Sequence, residues 1–200
     1  GRKSGRGFYK YPEGVPAAPA SPEGPKPAAI QYLTESEAME PLIERIKAAG
    51  IKVQSRKEED PFGAGMLRVG NATVCLTDGR TATQTSFEDE LPNVVMLDLS
   101  RDFTTSKRVV LAKGEETTAA ALADAVGLFR AVGFEISVIE DVPGMIVART
   151  IAMLANEGAD AVLQGVADAV GVDTAMKLGL GHPEGPLATA DRIGMTLMNA

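Results

Sequence analysis

Few side chains in this 200-residue chain have the type and spacing that acid–base or nucleophilic chemistry needs. The sole histidine, His182 in GLGHPEGP, could act as a base if a partner oriented it, but the flanking glycines and proline favour a structural turn. The sole cysteine, Cys75, lies in an apolar run typical of an inert buried thiol. Asp98 ends the apolar run VVMLDLS, where a carboxylate is either functional or directed to solvent. One histidine and one cysteine cannot form a His/Cys metal cluster.

A dinucleotide site would need the pattern G-x-G-x-x-G at the first strand–helix turn, because only glycine lets backbone amides reach a pyrophosphate. That turn reads YLTESEAM and contains no glycine. The G-x-G formed by Gly63 and Gly65 precedes a predicted strand and lacks the third glycine. We therefore expect this chain to bind no NAD.

The elements that position these residues alternate between strand and helix patterns over residues 28–140. This alternation predicts an α/β domain with a Rossmann-like parallel sheet that lacks the glycine fingerprint. Helices are predicted over 34–50, with Thr34 as N-cap, and over 117–133. The predicted strands are AAIQYL, IKVQ, MLRVGNATVCLT (one broken strand or a hairpin), NVVMLDLS, KRVVLA and FEISVIE.

From residue 141 onward the pattern is helical. Apolar residues recur at helical spacing, Pro143 suits a first helical turn, and β-rich runs are absent. Residues 141–200 are therefore predicted to form an all-α domain that follows the sheet.

The N-terminal part of the chain differs in composition. Residues 1–11 contain four basic and no acidic side chains, and residues 12–27 hold six prolines, which is typical of an extended linker. The net charge of the whole chain is −7, so its body is acidic, which argues against a nucleic-acid partner. The sequence has no apolar run long enough for a membrane span or a signal peptide, and the single cysteine suits a reducing compartment, so we expect a cytoplasmic location.

Two motifs resemble a known family. PGMIVAR followed by DTAMKLGLGHPEGP is similar to the signature P-G-F-I-V-N-R and D-x-A-M-x-L-G-x-x-x-P-x-G-P of the helical C-terminal domain of 3-hydroxyacyl-CoA dehydrogenases. The likeness extends over about residues 105–194, and the opening GRKSGRGFY resembles the end of the same domain. The resemblance implies that the chain is a diverged second copy from a duplicated, long member of the family. In this interpretation residues 1–11 are the tail of the first unit, 12–27 are a linker, 28–140 form a degenerate Rossmann-like domain, and 141–200 form a truncated helical domain.

The resemblance also identifies the positions where the family keeps its catalytic groups. The family uses a His in H-F-F-N-P, a Glu in K-L-V-E-V and an Asn in P-G-F-I-V-N-R. Alignment on KRVVLAKG and PGMIVAR puts Asp98, Val110 and Ala148 at these three positions. All three groups are replaced, which implies that this copy is not catalytic.

The implied parent oxidises 3-hydroxyacyl-CoA to 3-oxoacyl-CoA in fatty-acid or related acyl-CoA degradation, with NAD bound upstream of this chain. Its implied partners are the acyl-CoA substrate, the first dehydrogenase unit of the same chain, and a second copy that pairs through the helices after Pro143. An alternative role is an acyl-CoA or regulatory-ligand binding module. The candidate interaction residues are Pro143, Gly144, Arg149, Leu154, His182, Pro183, Gly185 and Pro186.

Overall fold

The structure is a computed structural model that describes residues 4–5, 20, 22–34, 36–56 and 65–194. Most of segments 1–11 and 12–27, together with Gly63, lies outside the described residues. The described chain forms a sheet with flanking helices, followed by three helices. The strands are β1 Ala29–Thr34, β2 Lys52–Ser55, β3 Met66–Val69, β4 Ala72–Leu76, β5 Val94–Leu97, β6 Arg108–Lys113 and β7 Glu135–Ile139. The helices are α1 Glu40–Ala48, α2 Ala82–Glu88, α3 Ala119–Ala131, α4 Val147–Leu163, α5 Ala169–Leu180 and α6 Pro186–Ile193.

The predicted class, a Rossmann-like sheet followed by a helical domain, is confirmed, but the sheet is mixed rather than wholly parallel. The strand order is β2-β1-β3-β4-β5-β6-β7. The pairs β1–β2, β4–β5 and β6–β7 are parallel, whereas β1–β3, β3–β4 and β5–β6 are antiparallel.

Connection length explains two of the three antiparallel pairs, β3–β4 and β5–β6. Strands β3 and β4 form a hairpin across Gly70 and Asn71, which resolves the two alternatives for MLRVGNATVCLT. Gly70 has φ +53°, and Asp124 on α3 accepts a hydrogen bond from the Asn71 amide at 2.8 Å. The stretch between β5 and β6 contains no helix. A parallel return needs a crossover of a dozen or more residues, so this short connection returns antiparallel.

The core fills both faces of the sheet. One cluster packs α1 and α3 against it, with Ile43, Leu67, Val95, Leu128 and Phe129 among its fully buried members. A smaller cluster on the other side contains Leu33, Cys75, Met96 and Met145. Cys75 is a free, buried thiol, as the sequence predicts.

Two helix starts differ from the predictions. Thr34 is still in β1, and a 3₁₀ turn, Glu37–Met39, leads into α1 with Ser36 as its N-cap. Pro143 lies in a turn, and α4 starts at Val147, because Gly144 and Met145 both adopt positive φ. The pattern analysis also missed α2, whose N-cap Thr81 accepts a hydrogen bond from the Gln84 amide at 3.0 Å.

The last residues of the predicted linker contact α3. The Arg130 guanidinium donates to the Pro22 carbonyl at 3.0 Å. The linker backbone at Gly24 and Pro25 lies directly against the backbone of α3. A Cβ on Gly127 would be 1.9 Å from the Pro25 carbonyl oxygen, and a Cβ on Gly24 would be 2.0 Å from the Ala123 carbonyl oxygen. Two glycines therefore permit a direct contact between the two backbones.

Candidate functional site

A cavity of about 520 Å³ lies between the sheet and the C-terminal helices. Strands β1, β4 and β5 run in the same direction, and the residues after their carboxyl ends line one side of the cavity. In an open α/β sheet, this edge is where ligands bind. Helix α4 and the α5–α6 turn close the other side. We therefore take this cleft as the candidate site.

Asp98 follows β5 at this edge and is 2% exposed. Its carboxylate accepts four backbone hydrogen bonds, from the amides of Leu99 (2.8 Å), Ile146 (3.0 Å), Val147 (2.8 Å) and Ala148 (3.3 Å). Three of these amides form the first turn of α4, where unpaired N–H groups and the helix dipole favour a negative charge. The Asp98 side chain thus fixes the start of α4 to the end of β5.

The three positions aligned with the family's catalytic groups lie next to one another. The Asp98 amide donates to the Val110 carbonyl at 3.1 Å, and the Ala148 amide donates to the Asp98 carboxylate. Val110 and Ala148 have no side-chain group that can orient a base or bind a substrate oxygen. The geometry therefore brings the three positions together, but it uses the one ionisable side chain as a helix cap.

The turn before α4 is held by contacts within the chain. The Arg149 guanidinium donates twice to the Pro143 carbonyl, at 2.7 and 3.0 Å. The Gly144 amide donates to the Gly79 carbonyl at 2.9 Å. Met145 is buried although its φ is +49°, a conformation that is unfavourable for a residue with a side chain. Pro143, Gly144 and Arg149, three of the candidate interaction residues, thus shape this turn.

The α5–α6 motif is held in a similar way. Asp173 on α5 accepts hydrogen bonds from the amides of Leu187 (2.9 Å) and Ala188 (3.0 Å), in the first turn of α6. A Cβ on Gly185 would lie 2.1 Å from the Asp173 carboxyl carbon, so only glycine fits there. Pro186 is buried in the first turn of α6, where its missing N–H costs nothing.

Carboxylates of this chain also occupy three helix N-termini that could otherwise hold a phosphate. Asp98 caps α4 and Asp173 caps α6, and Asp141 accepts from the amides of Ala82 (2.7 Å) and Thr83 (2.9 Å) at the start of α2. Helix N-termini are common phosphate sites only while their N–H groups are free. These three are already paired.

The first strand–helix turn is filled as well. The Ser36 amide donates to the buried Tyr32 hydroxyl at 2.7 Å, so it does not point into an empty anion site. Glu37 and Glu40 follow in the first turns of the 3₁₀ segment and α1. Negative side chains at this position repel a phosphate.

Several candidate interaction residues line the cavity. Leu154, His182, Pro183 and Pro186 are all in its wall. Leu154 is half-buried there and does not belong to the exposed surface of α4. Val147 of PGMIVAR also lines the cavity, so the cavity brings together residues from the two parts of the family motif.

Charged residues that the pattern analysis missed stand in the cavity wall. The Glu184 carboxylate accepts a hydrogen bond from Arg192 at 2.8 Å and another from Thr189 at 3.1 Å. The hydrogen bond with Arg192 lowers the pKa of Glu184, and the positive charge of Arg101 lowers it further. Only the tertiary contacts reveal this group, because Arg101 and Arg192 belong to different domains.

Asp78, also in the wall, pairs with an arginine that does not line the cavity. The Arg80 guanidinium contacts Asp78 (2.7 Å), Glu88 (2.9 Å) and Asp89 (2.8 Å). Burial by itself would lower the pKa of Arg80, but hydrogen bonds with these carboxylates raise it well above its usual range. The Arg80 cluster ties the β4–α2 turn to the end of α2.

Within the described residues, no three His, Cys, Asp or Glu side chains are arranged to hold a metal ion. In the same part of the chain, none of the helices is both long and apolar enough to cross a membrane.

Two family models match adjacent parts of the chain. The 3-hydroxybutyryl-CoA dehydrogenase reduced Rossmann-fold domain matches residues 74–143. The 3-hydroxyacyl-CoA dehydrogenase C-terminal domain matches residues 144–200. The two matches meet at the turn that precedes α4.

Relatives and solved structures agree with these matches. The 3-hydroxyadipyl-CoA dehydrogenase of Escherichia coli (strain K12) is 28% identical over 97% of this chain and 34% of its own length. A probable 3-hydroxybutyryl-CoA dehydrogenase of Bacillus subtilis is 36% identical over 44% of this chain and 31% of its own length. The crystal structure of 3-hydroxybutyryl-CoA dehydrogenase from E. coli K12 superposes with a TM-score of 0.71 at 26% identity, over 99% of this chain and 35% of that one. This chain thus spans about a third of the length of these relatives.

Proposed function

The chain belongs to the 3-hydroxyacyl-CoA dehydrogenase family, and we propose that it is a non-catalytic, architectural portion of such an enzyme. The parent would oxidise a 3-hydroxyacyl-CoA to the 3-oxoacyl-CoA with NAD bound upstream of this chain. The observation that carries the proposal is the use of Asp98, which alignment on KRVVLAKG puts at the position of the family's catalytic His, as a buried cap of α4.

Geometry as well as residue type supports the proposed loss of chemistry. A general base must reach the proton that it removes. The Asp98 carboxylate is instead enclosed by four amide donors. The paired amides at the starts of α2, α4 and α6 support the expectation that this chain binds no dinucleotide.

The architectural role is supported by an apolar surface on the C-terminal helices, which we call the α4–α5 face. Helix α5 buries none of its residues, although most of them are apolar. Leu163 is 85% exposed and Leu178 is 81% exposed. The α4–α5 face consists of Leu163, Val166, Val170 and Leu178. Contiguous exposed apolar surface is a common site of protein–protein contact.

In the parent, the α4–α5 face would pack on the first dehydrogenase unit of the same chain. In the isolated chain, a second copy would take that place, and like copies pair most often about a two-fold axis. Leu154 is a poor probe of this contact because it lines the cavity. Leu178, which is on the α4–α5 face, is the better one.

An activity assay tests the catalytic half of the proposal. The purified chain, incubated with NAD and 3-hydroxybutyryl-CoA, should form NADH no faster than a heat-denatured sample. Asp98→His should also stay inactive, because Val110 and Ala148 still lack the partner groups. NADH formation above the denatured control by the unaltered chain would overturn the proposal.

Sedimentation velocity tests the architectural half. The unaltered chain should form dimers at tens of micromolar, and Leu178→Glu should be a folded monomer, since this exposed site needs no repacking. The matched control is Phe87→Glu on α2, which charges another apolar side chain that is 85% exposed. A monomeric unaltered chain, or equal effects of the two variants, would contradict the assignment of this face.

A further inference from the structure

We propose that α3 anchors the part of the chain that precedes the sheet, so that the upstream dehydrogenase unit is carried on the α3 face of the sheet. The anchored segment is residues 22–28, which lead from the predicted linker into β1 and which we call the strap. The inference rests on the proposed function for the identity of the upstream unit, and it adds the surface from which that unit is connected.

The strap is seated on α3 through two glycines, one on each side of the contact. A Cβ on Gly24 would lie 2.0 Å from the Ala123 carbonyl oxygen and 2.6 Å from the Gly127 amide nitrogen. A Cβ on Gly127 would lie 1.9 Å from the Pro25 carbonyl oxygen. These neighbours are backbone atoms, which cannot turn aside as a side chain can. A side chain at either position would therefore lift the strap from the helix.

The position of Gly127 inside α3 points to the same contact. Glycine is unfavourable in the interior of a helix, and Gly127 is a buried interior residue of α3. A glycine suits such a place where a second backbone approaches closely, and the strap is the backbone that approaches Gly127. Helix α3 thus carries a seat for an extended segment.

Hydrogen bonds hold both ends of the strap. At its start, the Pro22 carbonyl accepts a hydrogen bond from the Arg130 guanidinium at 3.0 Å, in the last turn of α3. At its end, the Ala28 carbonyl accepts a hydrogen bond from the Lys52 amide at 3.1 Å, at the start of β2. With the glycine contact between these two points, the strap is bound along its length.

The composition of the strap favours docking with little loss of entropy. Pro22, Pro25 and Pro27 fix φ and preorganise an extended backbone, so fewer conformations are lost on binding. Most side chains of the strap are exposed. The contact therefore depends on the backbone and on the two glycines, which makes it sensitive to a single added methyl group.

The contact decides the face of the sheet from which the upstream chain leaves. Helices α1 and α3 pack on one face, and α2 packs on the other. Because Pro22 is held at the last turn of α3, the connection to the upstream unit starts on the α3 face. Even a flexible connection of about ten residues has a root-mean-square span of about 16–19 Å. The upstream unit should therefore stay near this face.

Paramagnetic broadening in ¹⁵N nuclear magnetic resonance spectra tests the proposal on the full chain. A nitroxide is attached to a cysteine introduced as Ala20→Cys, beside the strap, or as Tyr11→Cys, at the end of the predicted tail. Cys75 is buried, and the unaltered chain treated with the same reagent is the reference.

The two labels report docking and direction separately. The label at position 20 should abolish the amide signals of Ala123, Gly127 and Arg130 and leave those of α2, which packs on the other face. The label at position 11 should weaken the same α3 signals more than those of α2.

Glycine variants test whether the backbone contact is the cause. Gly24→Ala and Gly127→Ala should each restore the lost α3 signals, because each adds a methyl group where the two backbones meet. Gly24→Ala leaves α3 itself unchanged, which separates loss of docking from an effect on the helix. The matched control is Gly179→Ala, where a Cβ meets open space, and it should restore nothing.

Three outcomes would refute the anchor. They are equal broadening of α2 and α3, undiminished broadening of α3 in either of the two strap-contact variants, and loss of the α3 signals of a ¹⁵N chain without nitroxide that is mixed with spin-labelled chain. The last result would mean that the strap docks on a second copy. None of these outcomes depends on activity or on pairing through the α4–α5 face, so each leaves the proposed function in place.

Discussion

Replacing Asp98 by alanine should detach α4 from the sheet edge. The change removes the acceptor of four backbone N–H groups at 2.8 to 3.3 Å. The amides of Leu99 and Ile146 can turn to water, because these residues are partly or largely exposed. Those of Val147 and Ala148 are more enclosed, and an unsatisfied buried donor costs about 1–3 kcal/mol. Relief from burying a charge offsets part of this sum, which leaves a loss of about 2–4 kcal/mol in the free energy of unfolding.

Two measurements check this value. Urea unfolding followed by far-ultraviolet circular dichroism gives the change in free energy. Amide hydrogen exchange reports the local opening, and protection of the Ala148 amide should fall by about 30-fold to about 1,000-fold, since about 1.4 kcal/mol corresponds to a factor of ten. Asp98→Asn keeps one acceptor oxygen, so its effect should be about half as large.

The matched control is Asp191→Asn, which removes a carboxylate from an exposed position on α6. It should change the free energy of unfolding by less than about 0.5 kcal/mol. If Asp98→Ala were no more destabilising than this control, the carboxylate would not be the anchor of α4, and the structural account of its position would be refuted.

Three further predictions concern the linker, the cavity wall and the cofactor. Gly127→Ala should displace the linker from α3 and speed cleavage by the protease Glu-C after Glu23 at least about tenfold. Gly179→Ala, where a Cβ meets open space, should leave the cleavage rate unchanged, and equal cleavage rates of the two variants would contradict the contact. Because the pKa of Glu184 is lowered in the fold, the unaltered chain should be more stable than Arg192→Gln by a constant amount above the ordinary glutamate pKa of about 4.3. This difference in stability should disappear as the pH falls through the lowered pKa. Thermal unfolding between pH 2 and 7 measures the difference, and a constant difference at all pH values would contradict the prediction. Calorimetric titration with NAD should give no saturable heat, because carboxylates of the chain already pair with the amides at the helix N-termini. Binding with a micromolar dissociation constant would contradict this prediction.

The sequence by itself determined the fold class. Strand and helix patterns alternate before residue 140, and only helical spacing follows, which predicts a sheet domain and then a helical domain. The side-chain periods of strands and helices are local properties of the chain, so they can be read from the sequence. The same local information indicated a hairpin as one reading of Gly70 and Asn71. Strand direction was less accessible, since it depends on how connections close in space, and the short return from β5 to β6 made that pair antiparallel.

The meaning of Asp98 depended on the tertiary structure. Its apolar context left two interpretations open, functional or directed to solvent, and the structure contradicts the second, because the side chain is buried and caps α4. Three of its four donors are 48 to 50 residues away in the sequence. No local pattern encodes such a contact. The cavity is similar, because Arg101, Glu184 and Arg192 meet only when the helical domain packs on the sheet edge. Long-range packing therefore decides which of these charges lie close together.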